Sequence, residues 1–222
     1  MAGVDKVDGI LMDIGVSSKQ LDDPDRGFSY RYDVKLDMRM NTEQNISAYD
    51  VVNTYSEEQL SKIIFEYGEE RHARKIAKLI VEERKSSPIE KTSDLITLIK
   101  RAYPERASKH PAKKTFQAIR IEVNRELEVL ENAMSKAVEL LKVGGRLAII
   151  TFHSLEDRIV KNKFKDLATA CKCPKDIPIC VCGGVKKFEI ITKKPIIPID
   201  DELKNNNRAH SSKLRILERI LD

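Results

Sequence analysis

The stretch Gly144-Gly145-Arg146-Leu147-Ala148-Ile149-Ile150-Thr151-Phe152-His153-Ser154-Leu155-Glu156-Asp157-Arg158 holds the fold in miniature. Upstream of it, beginning at Pro111, the residues Phe116, Ile119, Val123, Leu127, Leu130, Met134, Ala137 and Leu141 recur at alternating spacings of three and four. That spacing predicts one long helix with an unbroken apolar stripe. Gly144-Gly145 then predicts the helix C-cap, and residues 147–150 predict a buried strand. Helix, tight turn and buried strand are half of a right-handed α/β crossover unit.

Working towards the N-terminus, Val7-Asp8-Gly9-Ile10-Leu11-Met12 is a nearly continuous apolar run that stops at Asp13 and passes into Gly15, Ser17 and Ser18. A buried parallel strand ending in a polar loop has this form. Residues 27–45 are polar and turn-rich without a period, which predicts a long ordered loop. From about residue 47 the pattern becomes helical. Ser56-Glu57-Glu58-Gln59 is a capping box, a second helix carries Arg74 to Val81, and Thr92-Ser93-Asp94 predicts the cap of a third. Pro88 and Pro104 separate or end these pieces. The expected organisation is an α/β core over 1–46 and 107–222, with a helical insertion over 47–106. Residues 188–191 and 213–220 are strand-like, with Pro195 and Pro198 between them, and predict an antiparallel pair at one sheet edge.

The 222 residues are 41% hydrophobic, enough for a sizeable core. A net charge of +5 permits nucleic acid as a partner without demanding it. No apolar run is long enough to span a bilayer. The start Met1-Ala2-Gly3-Val4-Asp5 lacks the basic-then-apolar form of a signal peptide. A cytoplasmic location without membrane contact is expected, and there the four cysteines are expected to be reduced or metal-bound.

Ligands of open α/β sheets bind at the carboxyl ends of the strands. Two ends qualify: Asp13 to Gln20, and Phe152 to Arg158. Gln117, Arg120 and Asn124, spaced three and four apart, add one helix face. Structural readings stand beside these. Asp13 has the chemistry to cap the next turn. Ser154 can cap a helix whose dipole Glu156 and Asp157 complement. The helix face can simply be solvated.

These segments resemble a known family. Asp8-Gly9-Ile10-Leu11-Met12-Asp13-Ile14-Gly15-Val16-Ser17-Ser18-Lys19-Gln20-Leu21-Asp22 is similar to a signature of the ribosomal RNA small-subunit methyltransferase H family, also called MraW. The resemblance continues through Gly27-Phe28-Ser29-Tyr30, Leu36-Asp37-Met38-Arg39-Met40 and Tyr67-Gly68-Glu69-Glu70-Arg71. It returns at His110-Pro111-Ala112-Lys113-Lys114-Thr115-Phe116-Gln117-Ala118-Ile119-Arg120-Ile121, at Phe152 to Arg158, and at Arg208-Ala209-His210-Ser211-Ser212-Lys213-Leu214-Arg215. Asp33-Val34-Lys35-Leu36 departs from the family's more usual Asp-Gly-Pro-Leu, a difference of local loop geometry.

The resemblance implies a Rossmann-like core with an inserted helical domain. It also implies transfer of a methyl group from S-adenosylmethionine to the exocyclic N4 of a cytidine in 16S ribosomal RNA, with the small ribosomal subunit as partner; a homodimer stays open. Asp13 and Gln20 match positions that contact the cofactor. Asp13, Phe152, His153 and Ser154 become the candidate catalytic residues. Asp13 or a nearby carbonyl is expected to bind the amine or the cofactor, and Phe152 or His153 to hold the base. Amino-methylating enzymes often carry Asn/Asp-Pro-Pro-Tyr at this strand end, where this chain has Asp13-Ile14-Gly15-Val16.

The family's Gly-rich turn, Asp-x-Thr-x-Gly-x-Gly-Gly-His, does not occur in the sequence. The match begins at what corresponds to the family's fourth strand, so the chain reads as shortened at its N-terminus by about a third of the family's length. A long unpaired sheet edge beside residues 7–12 and weak or absent binding of S-adenosylmethionine by this chain alone are expected. The alternative function is a catalytically inactive fragment that keeps RNA or subunit contacts.

Two further features stand apart. Cys171-Lys172-Cys173 and Cys180-Val181-Cys182 form a Cys-x-Cys…Cys-x-Cys pattern, which zinc, reduced thiols or redox pairing would each explain. Arg71, Arg74, Lys75, Lys78, Arg84 and Lys85, with Arg101, Arg106, Lys109, His110, Lys113 and Lys114, read either as a phosphate-contacting surface or as a solvated face laced with glutamates. In the RNA reading, Arg71, Arg74, Lys113, Lys114, Arg120 and Asn124 are the contact residues.

Overall fold

A computed structural model describes residues 5–104, 111–171, 173 and 182–222. The chain runs β1 (Val7–Asp13), α1 (Ser18–Asp22), α2 (Ala48–Thr54), α3 (Glu57–Glu66), α4 (Ala73–Glu83), α5 (Thr92–Ala102), α6 (Ala112–Asn124) and α7 (Glu126–Leu140). It continues with β2 (Leu141–Thr151), α8 (Ser154–Ala168), β3 (Phe188–Ile190), α9 (Asp200–Asn205) and β4 (Lys213–Arg219), and short 3-10 turns occupy Pro24–Arg26 and Asn207–Ser211.

The residues divide into two compact units, one of Met1–Gly15 with Leu127–Asp222 and one of Val16–Glu126. The expected insertion over 47–106 falls wholly inside the second unit, which also takes residues 16–46 and 107–126.

The first unit is an α/β structure around a four-stranded sheet in the order β1-β2-β4-β3. β1 runs parallel to β2, and β4 runs antiparallel to both β2 and β3. Its core collects Leu130, Met134 and Val138 from α7, Leu147 and Ile149 from β2, Val160 and Phe164 from α8, and Leu217 from β4. The antiparallel pairing of β3 with β4 agrees with the sequence. β1 is the expected sheet edge, but it alternates where its apolar run suggested a buried strand. Ile10 and Met12 pack on the core, whereas Leu11 is 66% exposed. A run of apolar letters cannot say how many neighbours a strand has.

Two local expectations fail for related reasons. The long helix is two, because Arg125 adopts a left-handed backbone with φ 49° and closes α6. One such residue interrupts the hydrogen bonds without disturbing the three-four rhythm of apolar positions. Gly144-Gly145 is not a helix cap but an irregularity inside β2. The register there jumps from Val7↔Leu141 to Gly9↔Arg146. A Cβ at Gly145 would stand 3.1 and 3.2 Å from the carbonyl oxygens of Val7 and Asp8. The missing side chain is what lets β1 approach.

The second unit is built from α1 to α6. Its core joins Leu60 and Ile64 of α3, Ile76 and Ile80 of α4, Leu95 and Ile99 of α5, and Phe116 and Ile119 of α6. Capping boxes start α1 at Ser17, α2 at Ser47 and α3 at Ser56. The cap of α5 is Lys91, one residue before the expected Thr92, with Asp94 accepting from the Lys91 N–H. Thr92 is instead buried and donates to the Tyr32 carbonyl. The loop over 27–46 is ordered by such bonds and by burial of Phe28, Leu36 and Met38.

Candidate active site

Parallel pairing brings the carboxyl ends of β1 and β2 together. The register runs Ile10↔Leu147 to Asp13↔Ile150, and the Ile14 N–H extends the ladder by donating to the Ile150 carbonyl at 3.3 Å. Beyond this point β1 turns at Gly15, with φ +90°. β2 passes through Phe152 and His153 into α8. The two tips are close neighbours: a Cβ at Gly15 would lie 3.6 Å from Glu156 Oε1 and 3.8 Å from the Phe152 ring. The carboxylate of Asp13 is exposed beside them. Half-buried Phe152, His153 with a nearly buried side chain, and exposed Ser154 follow β2 directly.

The cap of α8 is His153 and not Ser154, which is the first helical residue. His153 Nδ1 accepts from the Glu156 N–H at 3.4 Å, so the ring is the tautomer that carries its proton on Nε2. Nε2 is buried without an aligned hydrogen bond. It stands 3.1 Å from Glu156 Oε1, an ion-pair distance off the N–H direction.

Glu156 is the residue that sequence reasoning assigned only to the helix dipole. It is 2% exposed, and Oε2 accepts from the Phe152 N–H at 2.7 Å and the His153 N–H at 3.2 Å. Its carboxylate therefore folds back to fix the backbone of the β2–α8 turn. Asp157 anchors the same turn to β4, accepting from Arg215 Nε at 2.7 Å and Lys213 Nζ at 3.0 Å. Burial pushes the Asp157 carboxyl up, but hydrogen bonds and charge from Arg215 and Lys213 outweigh it and hold the group below the ordinary value of 3.8. A Lys-x-Arg alternation in a strand, opposite an acidic helix start, was the only available signal.

The remaining candidates belong to the second unit. Gln20 closes the capping box of α1: its Oε1 accepts from the Ser17 N–H at 2.9 Å. The Gln117, Arg120, Asn124 face is half-buried, and its side chains are engaged within the protein. Gln117 donates to the Tyr67 carbonyl at 3.0 Å. Arg120 forms a bidentate pair with Glu126 at 2.8 and 2.9 Å. Asn124 accepts from the Met40 N–H at 2.6 Å and donates to the Met38 carbonyl at 2.8 Å. Asn124 thereby satisfies the backbone of the ordered loop, Gln117 the end of α3, and Arg120 is held by a carboxylate.

Arg84 is likewise structural, donating to the Val52 and Tyr55 carbonyls. Arg71, Arg74, Lys113 and Lys114 are exposed, and Lys114 Nζ reaches the Glu69 carbonyl at 2.7 Å. That bond brings the start of α6 to the segment preceding α4, so these cations share one region of surface. Arg106, Lys109 and His110 lie outside the described residues.

The Sγ atoms of Cys171, Cys173 and Cys182 all lie within 4.8 Å of one another. Cys180 lies outside the described residues.

A family model described as the MraW methylase family matches residues 1–220. The chain belongs to this family. It is 99% identical over 222 residues, all of its length and 71% of the relative's, to a ribosomal RNA small subunit methyltransferase H of Fusobacterium nucleatum subsp. nucleatum. A protein of the same name from Clostridium botulinum (strain Kyoto / Type A2) is 58% identical over 98% of this chain and 71% of its own length. One from Caldicellulosiruptor saccharolyticus is 57% identical with the same coverage. The mixed α/β sheet is consistent with the Rossmann-like methyltransferase fold of the family.

Proposed function

We propose that this chain forms the nucleobase side of a methyl-transfer site, directing a methyl group from S-adenosylmethionine to the N4 amine of a cytidine in 16S ribosomal RNA. The observation that carries the reading is the parallel register of β1 and β2, with Asp13 at one tip and Phe152 at the other. The relatives' name, ribosomal RNA small subunit methyltransferase H, supports the substrate class.

When bound, the donor supplies an electrophilic methyl group on a sulfonium sulfur. The chain's own residues do the rest. The N4 lone pair of cytosine is delocalised into the ring and is a poor nucleophile, so catalysis rests on alignment and on exclusion of water. Asp13 accepts a hydrogen bond from the amine and orients it. Phe152 offers its ring to the base. His153 and Glu156 act from beneath as positioning residues, since both are nearly buried. Ser154, exposed at the first turn of α8, contributes an N–H-rich helix start.

The residues fit the amine better than the donor. An exposed carboxylate at a strand tip suits either an amine or a hydroxyl. Gln20, the other expected cofactor contact, has its amide oxygen engaged by Ser17, and no Gly-rich turn occurs in the sequence. A second reading is that residues 1–222 alone keep RNA contacts with little or no activity. Arg71, Arg74, Lys113 and Lys114 supply phosphate contacts. With aromatics at 5% and no Trp, shape and backbone recognition outweigh base stacking. No helix of the described residues is long and apolar enough to cross a membrane.

Nucleoside analysis tests the reading. Small-subunit particles treated with isotopically labelled donor and the longer, 99%-identical relative are digested and resolved by mass spectrometry. Label in N4-methylcytidine is expected; label in another nucleoside alone would overturn the proposal.

A further inference from the structure

We propose that Cys171, Cys173 and Cys182 bind one zinc ion, forming a structural site at the neck of the segment between α8 and β3. It is independent of the methyl-transfer reading. Four sulfurs bonded at about 2.3 Å to a tetrahedral zinc stand about 3.8 Å from each other. Cys171 and Cys182 Sγ are 3.8 Å apart, and Cys173 Sγ joins them within 4.8 Å. The two limbs, separated by a stretch of sequence, thus hold Cys171 and Cys182 Sγ at the edge length of a zinc–thiolate tetrahedron, with the Cys173 thiol beside them. That distance is well beyond a sulfur–sulfur bond of about 2.05 Å.

The backbone explains why the thiols meet. A Cβ at Gly184 would stand 1.9 Å from the Ala170 carbonyl oxygen and 3.3 Å from Cys182 Sγ. Only glycine allows the returning limb to lie against the outgoing one, one residue before Cys171. Residues 170 and 184 close the neck, which reduces the entropy lost on chelation. Both outer thiols are exposed, so a metal can enter without unfolding. Each Cys S–H gives its proton to solvent as its thiolate bonds zinc, and no electron is transferred. A further donor fills the fourth position; Cys180, outside the described residues, takes no part in the argument.

The chain is purified under reducing conditions, loaded with zinc, desalted, and its metal measured by mass spectrometry. About one zinc per chain is expected. Cys171→Ser and Cys182→Ser should each bind it at least about tenfold more weakly, since even indirect losses around metal sites cost that much. Cobalt loading of the unmodified chain supplies a readout that needs no variant to fold: thiolate-to-cobalt charge-transfer absorption with tetrahedral ligand-field bands is expected. Lack of that absorption would overturn the proposal. So would equal zinc retention by the Cys171→Ser/Cys173→Ser/Cys182→Ser variant, or a Cys171–Cys182 disulfide as the resting state of freshly isolated protein.

Discussion

Replacing Glu156 with Gln removes the charge that holds the β2–α8 turn while preserving size. The carboxylate accepts from the Phe152 and His153 N–H groups at 2.7 and 3.2 Å in a 2%-exposed position. Hydrogen bonds to a buried charged group contribute about 1.5–3 kcal/mol each. Both N–H groups bond the same oxygen, Oε2, so glutamine with its single acceptor oxygen there keeps both bonds, but each falls from the charged range to about 0.5–1.5 kcal/mol. The expected local loss is about 2 kcal/mol, on the order of thirtyfold in an opening equilibrium at 1.36 kcal/mol per decade.

Because the chain has two compact units, a single global melting curve is a poor measure of this turn. Amide hydrogen exchange reads it directly. The Phe152 and His153 amides should exchange about thirtyfold faster in Glu156→Gln, while Leu60 and Ile76 in the other unit keep their protection. Unchanged exchange at residues 152 and 153 would refute the assignment of Glu156 as the residue that fixes the turn.

Three further outcomes follow from the same geometry. Asp157 titrates below its ordinary value of 3.8 in the folded chain, so its contribution is complete above that value and is lost as pH falls through the lower folded one. Amide exchange at the β2–α8 turn, followed at neutral and acid pH, should therefore show the gap between wild type and Asp157→Asn narrowing below about pH 4; a constant gap would speak against the Arg215–Asp157 pair. Gly145→Ala places a Cβ against the Val7 and Asp8 carbonyls and should cost about 1–3 kcal/mol, seen as faster amide exchange across residues 10–13; unaltered exchange would mean the irregularity tolerates a side chain. Titration calorimetry of residues 1–222 with S-adenosylmethionine should show weak or no binding, and tight stoichiometric binding would contradict the proposed division of labour.

Periodicity and cap chemistry made the elements readable. Apolar runs marked β1 and β2, Ser56 to Gln59 marked the start of α3, and the Phe188 and Lys213 segments marked the antiparallel edge. What stayed hidden depended on single backbone conformations or on neighbours. The left-handed Arg125 leaves the apolar rhythm intact, so α6 and α7 read as one helix. A Gly-Gly pair has the same letters at a helix end and at a strand irregularity. Histidine is an uncommon cap, so Ser154 drew the assignment that belongs to His153. Gln117, Arg120 and Asn124 resembled a wet helix face because nothing in their spacing tells which carbonyl or carboxylate each meets. The strand tips were legible because an abrupt change from apolar to polar residues reflects burial ending; Glu156 was not, because its role lies in bending back to two amides.

The central claim is that the paired tips of β1 and β2 align the amine for methyl transfer. Single-turnover transfer to small-subunit particles tests it most directly, comparing the longer, 99%-identical relative with its variants at the positions of Asp13 and Phe152. The account predicts a fall on the order of a hundredfold or more for Asp13→Ala, the scale of losing one preorganised group that acts on the reacting centre, and a smaller fall for Phe152→Ala. Wild-type rates in both variants would contradict it.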